Sequence, residues 1–184
     1  MTSAAMGLID GVVVRDLEVH SDHRGALHEV YRASWTATAP FLQWNIVTSE
    51  PNTLRGVHVH PRHADYLHVL SGEMLLGLHD LRPDDPTGRR TMMITLRGGC
   101  PQSVLIPSGV CHGFYFPVHT TYLYGLSTGW APSEEAGCRY DEPRLGMAWP
   151  VTAPMLSARD ETPGCDYPEM RLAWLAAIST RATK

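Results

Sequence analysis

A series of short apolar runs separated by turn-forming residues constrains the fold of this chain more than any other feature. The runs lie between residues 11 and 127, with clusters of Pro, Gly, Asp and Ser between them: GVVVRDLEV, FLQWNIVTS, YLHVL, EMLLGLHDL, RTMMITL, QSVLIP, HGFYFPV and TTYLYGLS. Short strands at this spacing are typical of an antiparallel sandwich or barrel. Gly72 predicts a hairpin turn, and LRPDDPTG predicts a longer hairpin loop.

The pattern changes after residue 130. A loop-like segment, APSEEAGCRYDEPRLGMAWP, is followed by PEMRLAWLAAIST, in which Met170, Leu172, Leu175 and Ile178 suit a short helix. A chain of 184 residues is long enough for one sizeable core and too short to expect two. The sequence therefore predicts a single domain over residues 1–184, with an antiparallel sandwich or barrel as its core over about 11–130 and a C-terminal loop and helix over about 131–184.

Charge and composition exclude several classes of partner. A net charge of −4 gives no reason to expect nucleic-acid binding. The first residues, MTSAAMGLIDGVVVRD, carry no basic leader, and Asp10 and Arg15 interrupt their apolar stretch, so we expect neither a signal peptide nor a membrane span. The four cysteines show no CxxC spacing and are expected to be reduced thiols. The expected compartment is the cytoplasm.

The segment RGVHVHPRHADYLHVLSGE, residues 55–73, carries the most informative polar residues. On a strand, His58 and His60 would point to the same face, which inside a barrel is the ligand cavity. With Asp65, and with His112 in PSGVCH, they resemble the two sequence motifs of the cupin family. In metal-binding cupins these four positions hold the ion, here Fe, Mn, Ni or Zn. Other cupins keep the barrel and bind no metal, so both possibilities are open.

A longer series of segments resembles one metal-free branch of the cupins. The segments DHRGALHEVYR, FLQWN, LRGVH, SGEMLLGLHDLR, PTG, LIPSGVCHGF, YLYGLSTGW, DEPRLGMAWP and LSARD follow the order and approximate spacing of the dTDP-4-dehydrorhamnose 3,5-epimerase family over residues 22–160. The resemblance implies a cupin-type jelly-roll β-barrel, a homodimer and no cofactor. It also implies a nucleotide-linked 4-keto-6-deoxy sugar as substrate, with dTDP as the expected nucleotide.

The chemistry of that family is proton abstraction next to a ketone, followed by return of the proton to the opposite face. The resemblance implies that His58 is the base, that Asp160 in LSARD holds and polarises it, and that Tyr124 in YLYG is the acid. Taken alone, Tyr124 would be read as a cross-strand aromatic beside Tyr122, and Asp160 as a solvated carboxylate. Their joint occurrence favours the catalytic interpretation.

The resemblance also implies a set of substrate-binding residues. Arg24 and Arg55 match the nucleotide-binding arginines of the family, and guanidinium groups suit phosphate oxygens. Trp130 stands where a tyrosine usually lies in the active site. The polar neighbours expected near the nucleotide are Glu29, Gln43 and Asn45.

Several positions depart from the family pattern. Asp65 stands where the family usually has a lysine that stabilises the enolate, and His60 stands where it commonly has glutamine. Both departures favour a metal site. Leu27 and His28 replace phenylalanines, and Trp44 replaces an aspartate, which leaves the nucleobase and the sugar open.

Three functions are therefore carried forward. The first is an epimerase of nucleotide-linked ketosugars, and the second is a metal-dependent cupin enzyme, a dioxygenase or a metal-assisted isomerase, using His58, His60, Asp65 and His112. The third is a cupin that binds a sugar without turning it over. The first two compete for His58, which cannot readily be both a ligand and a free base. Solvated imidazoles are expected at His20, His23, His63, His79 and His119.

Overall fold

Two five-stranded antiparallel sheets form the body of the protein. The structure, a computed structural model, describes residues 9–37, 40–82, 91–131 and 136–179. Its strands are β1 (Val13–Asp16), β2 (Val19–Asp22), β3 (Gly25–His28), β4 (Gln43–Ser49), β5 (Thr53–Val59), β6 (Asp65–Ser71), β7 (Glu73–Asp80), β8 (Thr91–Arg97), β9 (Gln102–Ile106), β10 (Val110–Phe116), β11 (Thr120–Leu126) and β12 (Ala136–Gly137).

Strand order brings distant parts of the chain together. The first sheet has the order β1-β9-β6-β11-β4 and the second has the order β12-β5-β10-β7-β8. Neighbouring strands in both sheets are antiparallel. Strands β2 and β3 pair only with each other among the described residues. The all-β jelly-roll prediction is confirmed.

The main core lies between the two sheets. Leu67 and Val104 of the first sheet belong to the same buried cluster as Leu76, Leu78 and Leu96 of the second. Each of these side chains is at most 1% exposed. Burying a leucine stabilises a fold by roughly 2 to 3 kcal/mol, so this cluster supplies much of the force that holds the sheets together.

The second sheet is also covered on its outer face. A Cβ atom added at Gly77 of β7 would lie 2.8 Å from Trp149 and 2.9 Å from Met147, so the C-terminal segment packs directly on this strand. Strands buried on both faces carry continuous apolar runs rather than alternating ones. The segment around β7, EMLLGLHDL, is a continuous apolar run because its two faces meet two different cores.

Helices follow the strands. They are α1 (Ala158–Glu161) and α2 (Tyr167–Ser179), with a 3₁₀ turn at Pro143–Leu145. The predicted C-terminal helix is confirmed, but Leu172 is 65% exposed and does not join the core. The buried residues of α2 are Tyr167, Met170 and Trp174, spaced three and four apart as one helical face requires.

The other predictions about organisation have mixed outcomes. The eight apolar runs all contain strands, and Gly72, with φ +84°, joins β6 to β7 as predicted. Most of LRPDDPTG lies outside the described residues. The single domain over residues 1–184 stays a prediction. No helix in the described ranges is long and apolar enough to cross a membrane.

A bulge in β5 decides which side chains face the interior of the barrel. The pairing with β10 shifts between His112 and Gly113, so that Val57 has no direct partner. Without an extra residue, side chains three positions apart would point to opposite faces of a strand. Here Arg55 and His58 line the same cavity, while Leu54 and Val57 both pack against the C-terminal segment.

Gly56 makes this bulge possible. Its φ is +103°, and an added Cβ would lie 2.8 Å from the carbonyl oxygen of His112. We expect Gly56→Ala to lower the free energy of unfolding by about 2 to 3 kcal/mol, because both the backbone conformation and the contact become unfavourable. Gly99→Ala is the matched control, since nothing lies within 4 Å of a Cβ there. Urea unfolding of both variants measures the difference, and equal losses would contradict this account.

Candidate active site

A cavity of about 370 Å³ opens inside the barrel, with polar residues on both of its walls. Strands β5 and β10 of the second sheet form one wall, and strands β4, β6 and β11 of the first sheet form the other. The residues that line it are Val47, Arg55, His58, His60, His63, Asp65, Leu67, His112, Phe114, Tyr122, Tyr124, Leu126, Trp130, Ser157, Arg159 and Asp160.

His58 and Asp160 form a hydrogen-bonded pair in this cavity. His58 Nε2 lies 2.7 Å from Asp160 Oδ1, across 102 residues of sequence. Helix α1 presents Asp160, and its N-cap Ser157 accepts a hydrogen bond from the Asp160 backbone N–H. The backbone N–H of Gly56 donates to the other carboxylate oxygen at 3.4 Å. The resemblance implied that Asp160 holds His58, and the catalytic roles of the two residues stay predictions.

The environment keeps Asp160 ionised at neutral pH. Burial, the largest single effect, raises its pKa, but the hydrogen bond and charge of His58, with hydrogen bonds from Ser157 and Gly56, outweigh it. The pKa of Asp160 therefore lies below its ordinary value. A carboxylate only accepts, so Nε2 of His58 carries the hydrogen of this contact.

Arg159 lies against the ring of His58 and was not singled out from the sequence. Its Nη2 is 3.0 Å from His58 Nε2 and 3.3 Å from His58 Nδ1, and its Nε is 3.6 Å from Asp160 Oδ1. A cation beside the dyad favours negative charge that develops in the cavity. The basic residue directly before Asp160 in LSARD was the signal available in the sequence.

Two tyrosines stand on the opposite wall from His58. Tyr122 and Tyr124 share a face of β11, as predicted, with ring centroids 6.1 Å apart. Tyr122 is 3% exposed, and burial, the main cause, raises its pKa well above the usual range. Tyr124 is less deeply buried. It is therefore the more accessible phenol for a ligand in the cavity.

A cluster of three histidines surrounds Asp65. His112 Nε2 and His60 Nε2 lie 3.6 and 3.8 Å from Asp65 Oδ2, and His63 Nε2 lies 3.9 Å from Asp65 Oδ1. One ligand atom each from His60, His63 and Asp65 lies within 4.8 Å of the others. Burial is the main cause that lowers the pKa of His60 well below its ordinary value. Burial also lowers the pKa of His112, to about 3. Both rings are therefore neutral at neutral pH.

This cluster corrects two expectations. His63 was expected to be solvated, but it is 3% exposed, because the bend after β5 folds its ring onto that of His60 with centroids 4.1 Å apart. The metal-dependent alternative grouped His58 with His60, Asp65 and His112, but the Nε2 of His58 is held by Asp160. The possible ligand set therefore contains His63 where the sequence suggested His58.

Four of the predicted substrate-binding residues do not line the cavity. Arg55 and Trp130 do line it, whereas Gln43 and Asn45, on the same face of β4 as the cavity-lining Val47, do not. Gln43 Oε1 accepts a hydrogen bond from the backbone N–H of Trp130 at 2.9 Å, and Gln43 Nε2 donates to Asn45. These two residues therefore hold the segment that carries Trp130.

The remaining two binding predictions also fall outside the cavity. Arg24 lies in the exposed β2–β3 hairpin, where it pairs with Asp22 at 2.6 Å. Glu29 pairs with Arg32 at 2.6 Å. The hairpin pairs with neither sheet through its backbone in the described chain and meets the first sheet through the 3.2 Å contact of His28 with His68. Neither Arg24 nor Glu29 lines the cavity of its own chain.

The other histidines divide between surface and core. His20, His23 and His119 are exposed, as predicted. His79 was expected to be solvated but is 2% exposed, because it links β7 to α2 through hydrogen-bonding contacts of 2.9 Å to Thr91 and to Tyr167. This ring is a structural connection between the sheet and the helix.

Comparison with known proteins agrees with this geometry. The model of the dTDP-4-dehydrorhamnose 3,5-epimerase family matches residues 7–165. The chain belongs to this family. It is 32% identical over 163 residues to a dTDP-4-dehydro-6-deoxyglucose 3-epimerase from Streptomyces bikiniensis, covering 83% of each protein. It is 31% identical over 161 residues to the dTDP-4-dehydrorhamnose 3,5-epimerase of Pseudomonas aeruginosa, covering 83% of this chain and 89% of the relative.

A solved structure extends the similarity to the whole fold. The crystal structure of a 3′-monoepimerase from Streptomyces bikiniensis in complex with dTDP-quinovose has a TM-score of 0.80 and 28% identity to this chain. The match covers 96% of this chain and 98% of that one. The jelly roll of this epimerase-family member is thus shared with a sugar-nucleotide epimerase along nearly its full length.

The charge on Asp160 generates a prediction for stability in this family member. Because its folded pKa lies below 3.8, the ionised group stabilises the fold above pH 3.8, and this contribution disappears as pH falls through the folded value. We expect Asp160→Asn to lower the free energy of unfolding by roughly 1 to 3 kcal/mol at pH 6. The loss should become smaller as the pH is lowered from 4.

The measurement is urea unfolding of wild type and variant at pH 6, 4.5 and 3. Asp141→Asn is the control, since Asp141 makes an exposed ion pair with Arg139 that contributes little to stability. A destabilisation by Asp160→Asn that stays constant across this range would contradict the assignment.

Proposed function

We propose that this chain epimerises a dTDP-linked 4-keto-6-deoxy sugar by removing and returning a proton next to the ketone. The single observation that carries the proposal is the His58–Asp160 pair, 2.7 Å apart, facing Tyr124 across one cavity in a chain of the epimerase family. Proton removal on one face and return on the other require groups on opposite walls. Family membership favours this function over a dioxygenase.

His58 acts as the base in this proposal. With Nε2–H donating to Asp160, Nδ1 is the nitrogen that takes the proton from the carbon next to the ketone. The Arg159 guanidinium, 3.3 Å from Nδ1, has to give way to the bound sugar for this step. Breaking that C–H bond leaves an enolate, and the imidazolium that forms is stabilised by the adjacent carboxylate. Asp160 therefore acts through His58 and fixes its tautomer.

Tyr124 acts as the acid and returns a proton to the opposite face of the sugar. It belongs to β11 of the first sheet, whereas His58 belongs to β5 of the second. A sugar bound between the walls has one face toward each group. The base, the acid and the cations are all side chains, so this mechanism requires no organic cofactor.

The nucleotide is held near Arg55 and Trp130 at the wall of the cavity. Arg55 Nε donates to Ser49 Oγ at 3.0 Å, which fixes the direction of the guanidinium group. The names of the relatives, which act on dTDP sugars, support a dTDP group as the ligand. A diphosphate beside a fixed guanidinium would accept two parallel hydrogen bonds.

A homodimer forms part of the proposal. Strand β4 is at the edge of its sheet, and two apolar residues there are largely exposed: Ile46 within the strand, at 69%, and Leu42 directly before it, at 73%. Apolar residues at such an edge are typical of an interface between chains. In such a dimer Arg24 and Glu29, which do not line the cavity of their own chain, serve the cavity of the partner subunit. Location in the cytoplasm stays a prediction.

His58→Asn tests the base. We expect it to abolish enzyme-dependent exchange of the sugar α-protons with solvent deuterium, because asparagine cannot accept the proton. Mass spectrometry of dTDP-4-keto-6-deoxyglucose incubated in D₂O measures the exchange, and thermal melting checks the fold. His119→Asn, at an exposed histidine, is the control and should exchange normally. Unchanged exchange in His58→Asn would remove that residue from the mechanism, and its absence in wild type would favour a sugar-binding protein without turnover.

Tyr124→Phe tests the acid separately. We expect formation of the epimer to fall by about 10²- to 10⁴-fold, while exchange through His58 falls much less. The two quantities are measured on one sample by NMR. Tyr115→Phe is the control, because the Tyr115 hydroxyl contacts Asn52 and does not line the cavity. An equal loss of exchange and epimer in Tyr124→Phe would contradict the division of roles.

Leu42→Lys tests the dimer. We expect this change to shift the mass in solution from two chains toward one, because a buried lysine at an interface is costly. Light scattering after size-exclusion chromatography measures the mass. Leu172→Lys, at a leucine of α2 that is 65% exposed, is the matched control and should remain a dimer. A monomeric wild type would overturn the proposal.

A further inference from the structure

We propose that His60, His63 and Asp65 bind one divalent transition-metal ion, with His112 as a fourth side chain at the edge of the site. The site lies in the same cavity as the His58–Asp160 pair but shares no residue with it. No part of the proposed epimerisation assigns a role to these residues.

The distances are the first argument. The three histidine Nε2 atoms lie 3.6, 3.8 and 3.9 Å from oxygens of Asp65. These separations are longer than the hydrogen bonds of the neighbouring dyad, which are 2.7 and 3.4 Å. Ligands placed about 2.0 to 2.2 Å from one ion stand roughly 3 to 4 Å apart, so the spacing matches side chains that share an ion.

Burial is the second argument. His60, His63 and Asp65 are between 3% and 6% exposed. A site this shielded from bulk water leaves the imidazole nitrogens and the carboxylate as the main donors to an ion. His60 Nδ1, which has no hydrogen-bond partner among the described residues, is the ring nitrogen that remains when Nε2 binds the ion.

The kinds of donor identify the class of ion. Imidazole nitrogens with one carboxylate suit Mn, Fe, Ni and Zn, whereas Ca and Mg prefer oxygen donors alone. His60 and His63 are three residues apart, and the bend between them stacks their rings at 4.1 Å. The local chain therefore brings two ligands together before Asp65 is reached.

The position of the site suggests what the ion does. Because the cluster lines the cavity, an open coordination position would face a bound ligand. A metal ion there would stabilise negative charge on the ketone oxygen when His58 removes the proton. This catalytic consequence rests on the proposed function, whereas the binding site does not.

Metal titration tests the site. The chain is stripped with a chelator and titrated with Co²⁺, followed by visible absorption, and with Zn²⁺, followed by calorimetry. We expect one ion per chain, and binding about 100-fold weaker in His63→Gln and in Asp65→Asn. His68→Gln is the matched control, because His68 is also buried but lies outside the cluster. Thermal melting without metal confirms that each variant is folded.

The outcomes separate the site from the proposed reaction. Saturable binding lost in either folded cluster variant and kept in His68→Gln supports the site. No saturable binding in wild type, or undiminished binding in both cluster variants, overturns it. Exchange measured with and without Zn²⁺ then tests the catalytic consequence, which equal rates overturn. If the wild type catalyses no exchange either with or without Zn²⁺, the proposed function is overturned. The titration alone still decides whether the metal site exists.

Discussion

Strand β5 has to satisfy two environments at once, and the site depends on how it does so. One face packs Leu54 and Val57 against the C-terminal segment, and the other presents Arg55 and His58 to the cavity. Regular alternation cannot place both sets correctly, because the residues within each set are three apart. The bulge at Gly56 resolves this conflict, since it shifts the pairing with β10 by one residue.

The cavity gains its chemical asymmetry from the two sheets. The second sheet contributes His58, whose partner Asp160 comes from the segment packed outside the barrel, and the first contributes Tyr124. Arg159 adds a positive charge beside the dyad, and Asp65 adds a negative one within the histidine cluster. A ligand between the walls therefore meets different charges and hydrogen-bonding groups on its two faces, as a reaction that inverts a carbon centre requires.

Much of the fold follows from local pattern. The apolar runs between turn residues predicted strands correctly, because alternation and turn chemistry act over a few residues. The exposure of Leu172 was missed, because a helical face is defined only once the first residue of the helix is known. Trp174, which belongs to the stripe that begins at Tyr167, is the residue that is buried.

The site, unlike the fold, could not be predicted from local sequence pattern alone. His58, Asp160 and Tyr124 were found through resemblance, since no local spacing connects residues so far apart. His63 was missed because a bend, rather than a strand, brings it over His60. Arg24 and Glu29 matched a motif, but a motif carries no information about which subunit's cavity a hairpin approaches. These errors share a cause, because each concerns a direction in space that the order of residues does not encode.

The pairing of His58 with Asp160 has a consequence for folding during synthesis. The two residues are 102 positions apart, and the carboxylate arrives on a helix that follows all the strands. A nascent chain whose barrel has already emerged from the ribosome would still lack the carboxylate. The dyad is therefore completed only after the segment that carries Asp160 has been synthesised, and its formation reports that this segment has docked.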